Sequence, residues 1–350
     1  MSDFLLNPFM TDYSVFAWGT KYSNPSTLPT AACGGVDIDA NDVVIVKNTT
    51  YPYLSAYSWN NGFGTMFSDP SGNYLPSSSG TTQVVGRVKV SSDNNYVFVT
   101  HNVRHHCSAF SWDSTNGFGT RINSSISVGT ASVVGYALAI TPNVDAIAYL
   151  NSDSLILCAF TSGQFGTVYA DGWGQTAPFN GVDGGVAFSP SGDALALGDF
   201  GGSNLLNAWA WNSSTGVGSK YTDPVGMTGN SSYGLSFSTA GDFIAYAESG
   251  SPSYAAYPWN SNSGFGTKVS PGTTTGDRGT SSAFTKNDSA IIIGPAVYAY
   301  VWQNNWGTRL TSPTGIVNTL VDVEVNSTNT FMVYTSTGSP FINAYPISFT

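Results

Sequence analysis

YPWNSNSGFGTKVSP, residues 257–271, decides the fold. An apolar run ends in Trp259, an Asn/Ser/Gly turn follows, and then come Gly-Phe-Gly-Thr, a short stretch and Pro271. The phrase recurs as YSWNNGFGTMFSDP from Tyr57, FSWDSTNGFGTRI from Phe110 and WAWNSSTGVGSKYTDP from Trp209. AFTSGQFGTVY from Ala159 and YVWQNNWGTRLTSP from Tyr300 are weaker copies, and FAWGTKYSNP from Phe16 is a shortened one. The glycine before the Thr or Ser falls at Gly19, Gly64, Gly119, Gly166, Gly218, Gly266 and Gly307, so seven copies share 350 residues. A fixed long period of this kind dictates the architecture before any single residue does.

Each unit also has an upstream half. From Gly185 it reads GVAFSPSGDALALG and from Gly234 GLSFSTAGDFIAYA: apolar alternation, a tight Ser/Gly/Asp turn, apolar alternation again. That is a hairpin pattern, and period-two alternation dominates the chain. Each unit therefore reads as four short strands, A to D. One such sheet cannot bury both of its faces, but seven stacked radially bury every face and leave only short edges. The expected fold is all-β, a seven-bladed β-propeller of four-stranded antiparallel blades.

Residues 1–12 read as an N-terminal arm and 13–350 as a single domain. The blades fall near 31–70, 84–125, 134–171, 183–224, 233–271, 281–313 and 319–350. Residues 320–347 supply A, B and C strands with no Gly-Phe-Gly-Thr after them, while 13–24 hold a D phrase with no A or B before it. The N-terminal strand, 16–22, is expected to pair with 344–347 and close the ring, which ties down both ends and removes a frayed edge.

Composition narrows the function. Charged residues are only 9% against a usual ~25%, with Ser, Thr, Asn and Gly in their place. The net charge is −10 and no basic cluster exists, which argues against nucleic acid and against anionic membrane surfaces. The start, MSDFLLNPFM, has neither the charged region nor the apolar core of a signal peptide, and no apolar run reaches the ~20 residues of a membrane helix. Cys33, Cys107 and Cys158 are widely spaced with no C-x-x-C, so buried reduced thiols are expected.

The motifs that could carry chemistry are few. HNVRHHC, residues 101–107, holds all three histidines, and a hairpin could set His101 opposite His106 with Cys107 beside them, a set suited to a transition metal. No carboxylate lies near in sequence and other blades have TTYPY or SGSPS there, so a polar connection without metal is expected. VDIDANDVV, residues 36–44, spaces oxygen ligands as calcium loops do but lacks the glycine and closing Glu, so it reads as a hairpin turn. Only Glu248 and Glu324 supply glutamates, no Ser/His/Asp or Cys/His set is identifiable, and no cofactor is expected. Trp59, Trp112, Trp211, Trp259 and Trp302 sit at one repeat position and are expected to pack between blades. Aromatics that break the repeat, Trp173, Phe179, Tyr51, Tyr53 and Tyr74, are the candidates for a sugar- or protein-binding face.

Aligning VDID, VKVS and VEVN sets Asp37, Lys89 and Glu324 at one middle position of strand A in blades 1, 2 and 7, consecutive around a closed ring. Lys89 is expected to reach Asp37 across the blade boundary, with Glu324 nearby.

FSPSGDALALG, residues 188–198, resembles the A–B hairpin of WD40-like propeller repeats of the YVTN/TolB type, without the Gly-His and Trp-Asp marks of true WD40 repeats. SWNNGFGT, residues 58–65, is similar to the Asp-box turn of sialidase-type propellers, where it is structural. The complete unit resembles propeller repeats of tailed-bacteriophage virion proteins. That resemblance implies a non-enzymatic structural or interaction protein of a capsid or tail, made in a host cytoplasm, with other virion proteins as partners. The alternatives are a lectin-like adhesin whose loop face binds host glycans and, with less support, a sialidase-like glycoside hydrolase.

Overall fold

The computed structural model describes residues 16–70, 86–102, 106–124, 126, 135–151, 155–169, 185–198, 205–227, 232–248, 253–271, 281–316 and 320–349. The described residues form 28 strands in seven four-stranded antiparallel sheets, a seven-bladed β-propeller. Blade 4 shows the pattern: strands Val186–Phe188, Ala194–Gly198, Leu206–Asn212 and Gly216–Lys220, paired in chain order from the channel outward. Among the described residues no helix is long and apolar enough to cross a membrane.

Blade 7 alone is assembled from both chain ends. Its order is Leu320–Val325, Phe331–Ser336, Ile342–Phe349 and then Phe16–Trp18. Phe16 pairs with Phe349 and Trp18 with Ile347. Beyond them Gly19 N donates to Pro346 O at 2.8 Å and Tyr22 N to Ala344 O at 3.0 Å. The contact therefore runs farther along the C-terminal strand than 344–347, and regular pairing stops at Trp18. Gly19 crosses over Pro346, where a Cβ would lie 2.3 Å from the ring. That close approach ends the ladder.

Each apolar cluster is shared by two neighbouring blades. Ala148 and Leu157 of blade 3 meet Leu195 and Trp211 of blade 4, and Val46 and Tyr57 of blade 1 meet Phe331 and Val333 of blade 7. The core is thus a ring of interfaces, which is why alternation on both faces of a strand can be apolar. The Gly-Phe-Gly-Thr phrase makes those interfaces close. Gly117 has φ +84, which an L side chain rarely adopts, and a Cβ there would lie 3.1 Å from Phe67 of the preceding blade. A Cβ on Gly119 would lie 2.4 Å from Ser111 Oγ on strand C.

The repeat tryptophans fill the same wedge. Trp59, Trp112, Trp211 and Trp259 meet Tyr22, Phe67, Tyr169 and Tyr221 of the preceding blade edge-on, with ring centroids 4.9 to 5.9 Å apart. Trp59 also stacks on Phe331 at 3.8 Å across the blade 7–1 boundary. Trp302 receives Phe243 of blade 5 at 5.0 Å. Tyr169 and Tyr221 reach farther, each donating its hydroxyl to the next blade's C–D turn, at Ser213 O and Ser261 O. Edge-to-face pairs of this kind add ~0.5–1.5 kcal/mol beyond their burial.

The A–B turns are equally regular. Ser189 Oγ donates to Asp193 Oδ1 and accepts from the amides of Asp193 and Ala194. Ser238 repeats this, and Ser91, Thr141, Thr285 and Asn326 cap their own turns. In blade 1 the capping residue is Asp39. Its Oδ1 accepts from Asn41 N and Val43 N, and its Oδ2 from Trp112 Nε1 at 2.9 Å and Ser114 Oγ at 2.7 Å in blade 2. The VDIDANDVV turn spends this carboxylate on the hairpin and the interblade joint.

Candidate functional site

Seven A strands converge on the central channel, and their middle positions differ sharply around the ring. Blades 1, 2 and 7 place Asp37, Lys89 and Glu324 there; blades 3 to 6 place Ala139, Ala187, Ser236 and Ala283. Lys89 Nζ lies 3.0 Å from Glu324 Oε2 and 3.7 Å from Asp37 Oδ1. The nearer partner is therefore the glutamate of blade 7, two blades away. Lys286, from the A–B turn of blade 6, takes the other glutamate oxygen at 2.7 Å. Asp37 accepts from Ile38 N on Oδ1 and from Val90 N of blade 2 on Oδ2, at 3.0 and 2.7 Å.

A second layer lies two residues earlier on the same strands. Arg87 Nη1 is 3.4 Å from Asp322 Oδ2 and donates to Gly34 O at 2.8 Å. Asp322 also accepts from Val36 N of blade 1 and from Ser281 Oγ. The carboxylate of one blade thus caps an inner-edge amide of the next: Asp322 on blade 1 and Asp37 on blade 2.

Burial and neighbours separate the two middle carboxyls. Burial pushes Asp37 up to about 6, against the pull of Lys89 and helped by the nearby Glu324 charge. For Glu324 burial acts the same way, but Lys286 and Lys89 outweigh it and hold the carboxyl at about 2. Lys89 is desolvated yet held above its usual value by Asp37 and Glu324. The cluster therefore carries two lysines, a glutamate held low by both of them and an aspartate that burial raises to about 6.

Two cavities meet at this cluster. One, about 210 Å³, runs between Arg87, Lys286 and Asp322 on one side and Ala137, Gly185 and Gly234 on the other. The second, about 290 Å³, opens at the A–B turns between Asp37, Lys89, Lys286 and Glu324.

The other sequence candidates lie elsewhere. Tyr51 is exposed, 51%, in the B–C connection of blade 1, beside Thr30, whose hydroxyl donates to Tyr51 O and contacts Thr50 Oγ1. Tyr53 is buried behind it with its ring 6.3 Å from that of Tyr51. Trp173, Phe179 and Tyr74 lie outside the described residues. His101 and His106 are both buried: His101 Nε2 is 3.0 Å from Ser108 Oγ, and His106 Nδ1 is 3.4 Å from His101 O. Burial raises the Cys107 thiol well above its usual value, and the side chain is a free, buried thiol. Among the described residues no three His, Cys, Asp or Glu side chains are arranged to hold a metal.

Two further charges are buried away from the channel. Lys47 is fully buried on strand B of blade 1, donates to Asn48 O at 2.6 Å, and is pushed down to about 7 by burial. Glu248 is fully buried in blade 5, 2.9 Å from Lys268 Nζ. Both sit in apolar B strands whose two faces are buried, so a charge there is buried whichever face it takes, and the apolar run around each is the signal that marks it.

No protein-family model matches the chain, and no match is found among curated proteins.

Proposed function

We propose that the protein is a non-enzymatic interaction disc, a capsid- or tail-associated component of a tailed-phage virion. The observation that carries the reading is where the aromatic side chains go. The repeat tryptophans and their partner tyrosines are spent in the interblade wedges, so the repeated chemistry builds a closed, self-supporting ring. Low charge, Ser/Thr/Asn/Gly surface chemistry and the resemblance of the repeat unit support the same assignment. Asp37 and Glu324 share a cavity, yet each carboxylate oxygen is already engaged, by backbone amides or by lysines, which argues against a hydrolase. The test is mass spectrometry of gradient-purified particles, with the protein at constant copy number as the expected result. Its absence from particles ends the reading.

A glycan-binding adhesin is the second reading, favoured by Tyr51, an exposed aromatic flanked by the hydroxyls of Thr30 and Thr50. A glycan array with the wild type and Tyr51→Ala separates the two. Binding that the substitution removes supports the adhesin, and a blank array supports the disc.

A further inference from the structure

Among the described residues, the bare sector of the channel has backbone donors that no protein acceptor meets. In blade 4, Gly198 N donates to Gly185 O and Ser189 N to Ala194 O, so residues 185 and 189 turn toward strand B. Strand groups alternate, so Val186 and Phe188 turn their amides to the channel. The same alternation follows from Thr141 N to Ala146 O, Ser238 N to Phe243 O and Thr285 N to Ala290 O in blades 3, 5 and 6. It turns Leu138, Leu235, Phe237, Ser282 and Phe284 inward. Among the described residues none of these amides meets a protein acceptor, and Leu138, Val186, Leu235, Phe237, Ser282 and Phe284 line the cavity of about 210 Å³. The equivalent amides of Val36 and Val90 do meet acceptors, and both acceptors are carboxylate oxygens.

Charge points the same way. Arg87, Lys89 and Lys286 are three of only 11 basic residues, whereas the cavity of about 210 Å³ that they line holds only Asp322 and Glu324 of the 21 acidic ones. The channel is thus far less negative than the rest of this acidic chain. Each lysine has three donors. Lys286 spends one on Glu324, and Lys89 makes one short contact with Glu324 and a longer one with Asp37.

We infer that the channel is a binding site for a small multivalent oxyanion, a di- or tricarboxylate or a phosphate. Its oxygens take the inner-edge amides of blades 3 to 6 in the way that Asp322 and Asp37 take those of blades 1 and 2, and Lys286 and Lys89 supply the counter-charge. The cavity holds several waters' worth of space, at ~30 Å³ each, but falls short of the ~300 Å³ at which drug-sized pockets begin. The site goes beyond the virion reading and does not depend on it.

Isothermal titration with citrate and with inorganic phosphate, each against a chloride control of equal ionic strength, tests this. One of the two should bind at one equivalent with a dissociation constant of about 1 mM or tighter, and which one binds identifies the oxyanion class. Lys286→Met should weaken that binding about tenfold, the effect of losing one charge-assisted hydrogen bond. Ala187→Asp places a carboxylate in blade 4 where Asp37 stands in blade 1, over the Phe237 amide, and should abolish binding while every cation remains. Circular dichroism checks that each variant is folded, and an unfolded Ala187→Asp leaves Lys286→Met to decide. Neither anion binding above the chloride control overturns the inference, and so does unchanged affinity in the folded variants.

Discussion

The two sides of the channel share one backbone and differ almost entirely in what stands at its inner positions. Blades 3 to 6 place Ala139, Ala187, Ser236 and Ala283 at the middle of their A strands; blades 7, 1 and 2 place Glu324, Asp37 and Lys89 there, with Asp322 and Arg87 two residues earlier and Lys286 reaching in from the A–B turn of blade 6. The turn caps and interblade wedges continue around both sides, so neither the hairpins nor the core requires the charges. What sets the charged side apart is blade 7, the blade built from both chain ends. Its inner strand reaches blade 6 through Lys286 and blade 2 through Lys89 and Arg87, while its outer strand arrives from residues 16–18. Where chain continuity does not hold a blade together, ion pairs at the channel hold it to its neighbours. Buried ion pairs are better at fixing arrangement than at adding stability.

Glu324 is the place to break this contrast. Glu324→Gln removes the carboxylate between Lys89 and Lys286 and leaves two ammonium groups facing each other. Removing one partner of a fully buried pair costs ~3–5 kcal/mol, and the lysines here are partly exposed, so a loss of about 2–3 kcal/mol is expected. Guanidinium unfolding reads it, and a midpoint equal to wild type would show that the charged side needs its charges no more than the bare side does.

Lys89→Met should act less strongly, about 1–2 kcal/mol, because Lys286 still holds Glu324. Asp37 then keeps its amide donors but loses its cation, and adding Asp37→Asn should recover most of the loss. A coupling energy of about 1 kcal/mol in the double-mutant cycle is expected between the two positions. Strict additivity would place the contact with Glu324 alone in charge of Lys89.

The pH profile sharpens the same point. Asp37 is raised in the fold, so it binds more protons folded than unfolded, and its contribution to stability falls as pH rises from about 4 to about 6. Glu324 is lowered, so its contribution is complete above about 4.5 and is lost as pH falls toward about 2. Together they set a local stability maximum near pH 4 to 5, with a limb of on the order of 1 kcal/mol toward neutrality. Asp37→Asn should flatten that limb and leave the acid limb in place. A limb that survives the substitution belongs to another group.

The fold was legible because one phrase repeats: Trp, turn, Gly-Phe-Gly-Thr. The phrase missing after Ile342–Phe349 and present alone at Phe16 foretold how blade 7 closes. The middle charges were legible by aligning VDID, VKVS and VEVN. Lys286 was not, because it sits in a TKNDS turn where a lysine reads as ordinary surface. Arg87 and Asp322 carry a usable signal in the sequence: each stands two residues before a middle charge, and a strand turns such pairs to the same side. Lys89's nearer partner, Glu324 rather than Asp37, was beyond the sequence. Alignment ranks neighbours around the ring, whereas a lysine reaches across the narrow channel to the second blade. The inner amides that meet no acceptor among the described residues were likewise invisible, since every strand has inner amides and only the side chains beside the channel decide which are capped.

The smallest effect belongs to the bare side and is its control. Ser236 Oγ and Ser282 Oγ lie 3.2 Å apart, a polar contact between blades 5 and 6 beside the channel. Either hydroxyl can donate, and both line the cavity of about 210 Å³, where water can replace the missing partner. Removing both members of a hydrogen bond leaves no buried group unsatisfied, so the double substitution Ser236→Ala/Ser282→Ala should change stability by no more than about 0.5 kcal/mol. The single Ser236→Ala should do the same, because Ser282 turns to the cavity water. If the double substitution instead costs as much as Glu324→Gln, every A strand needs a polar tie to its neighbour, and the charged side is only the visible case of a rule that governs the whole ring.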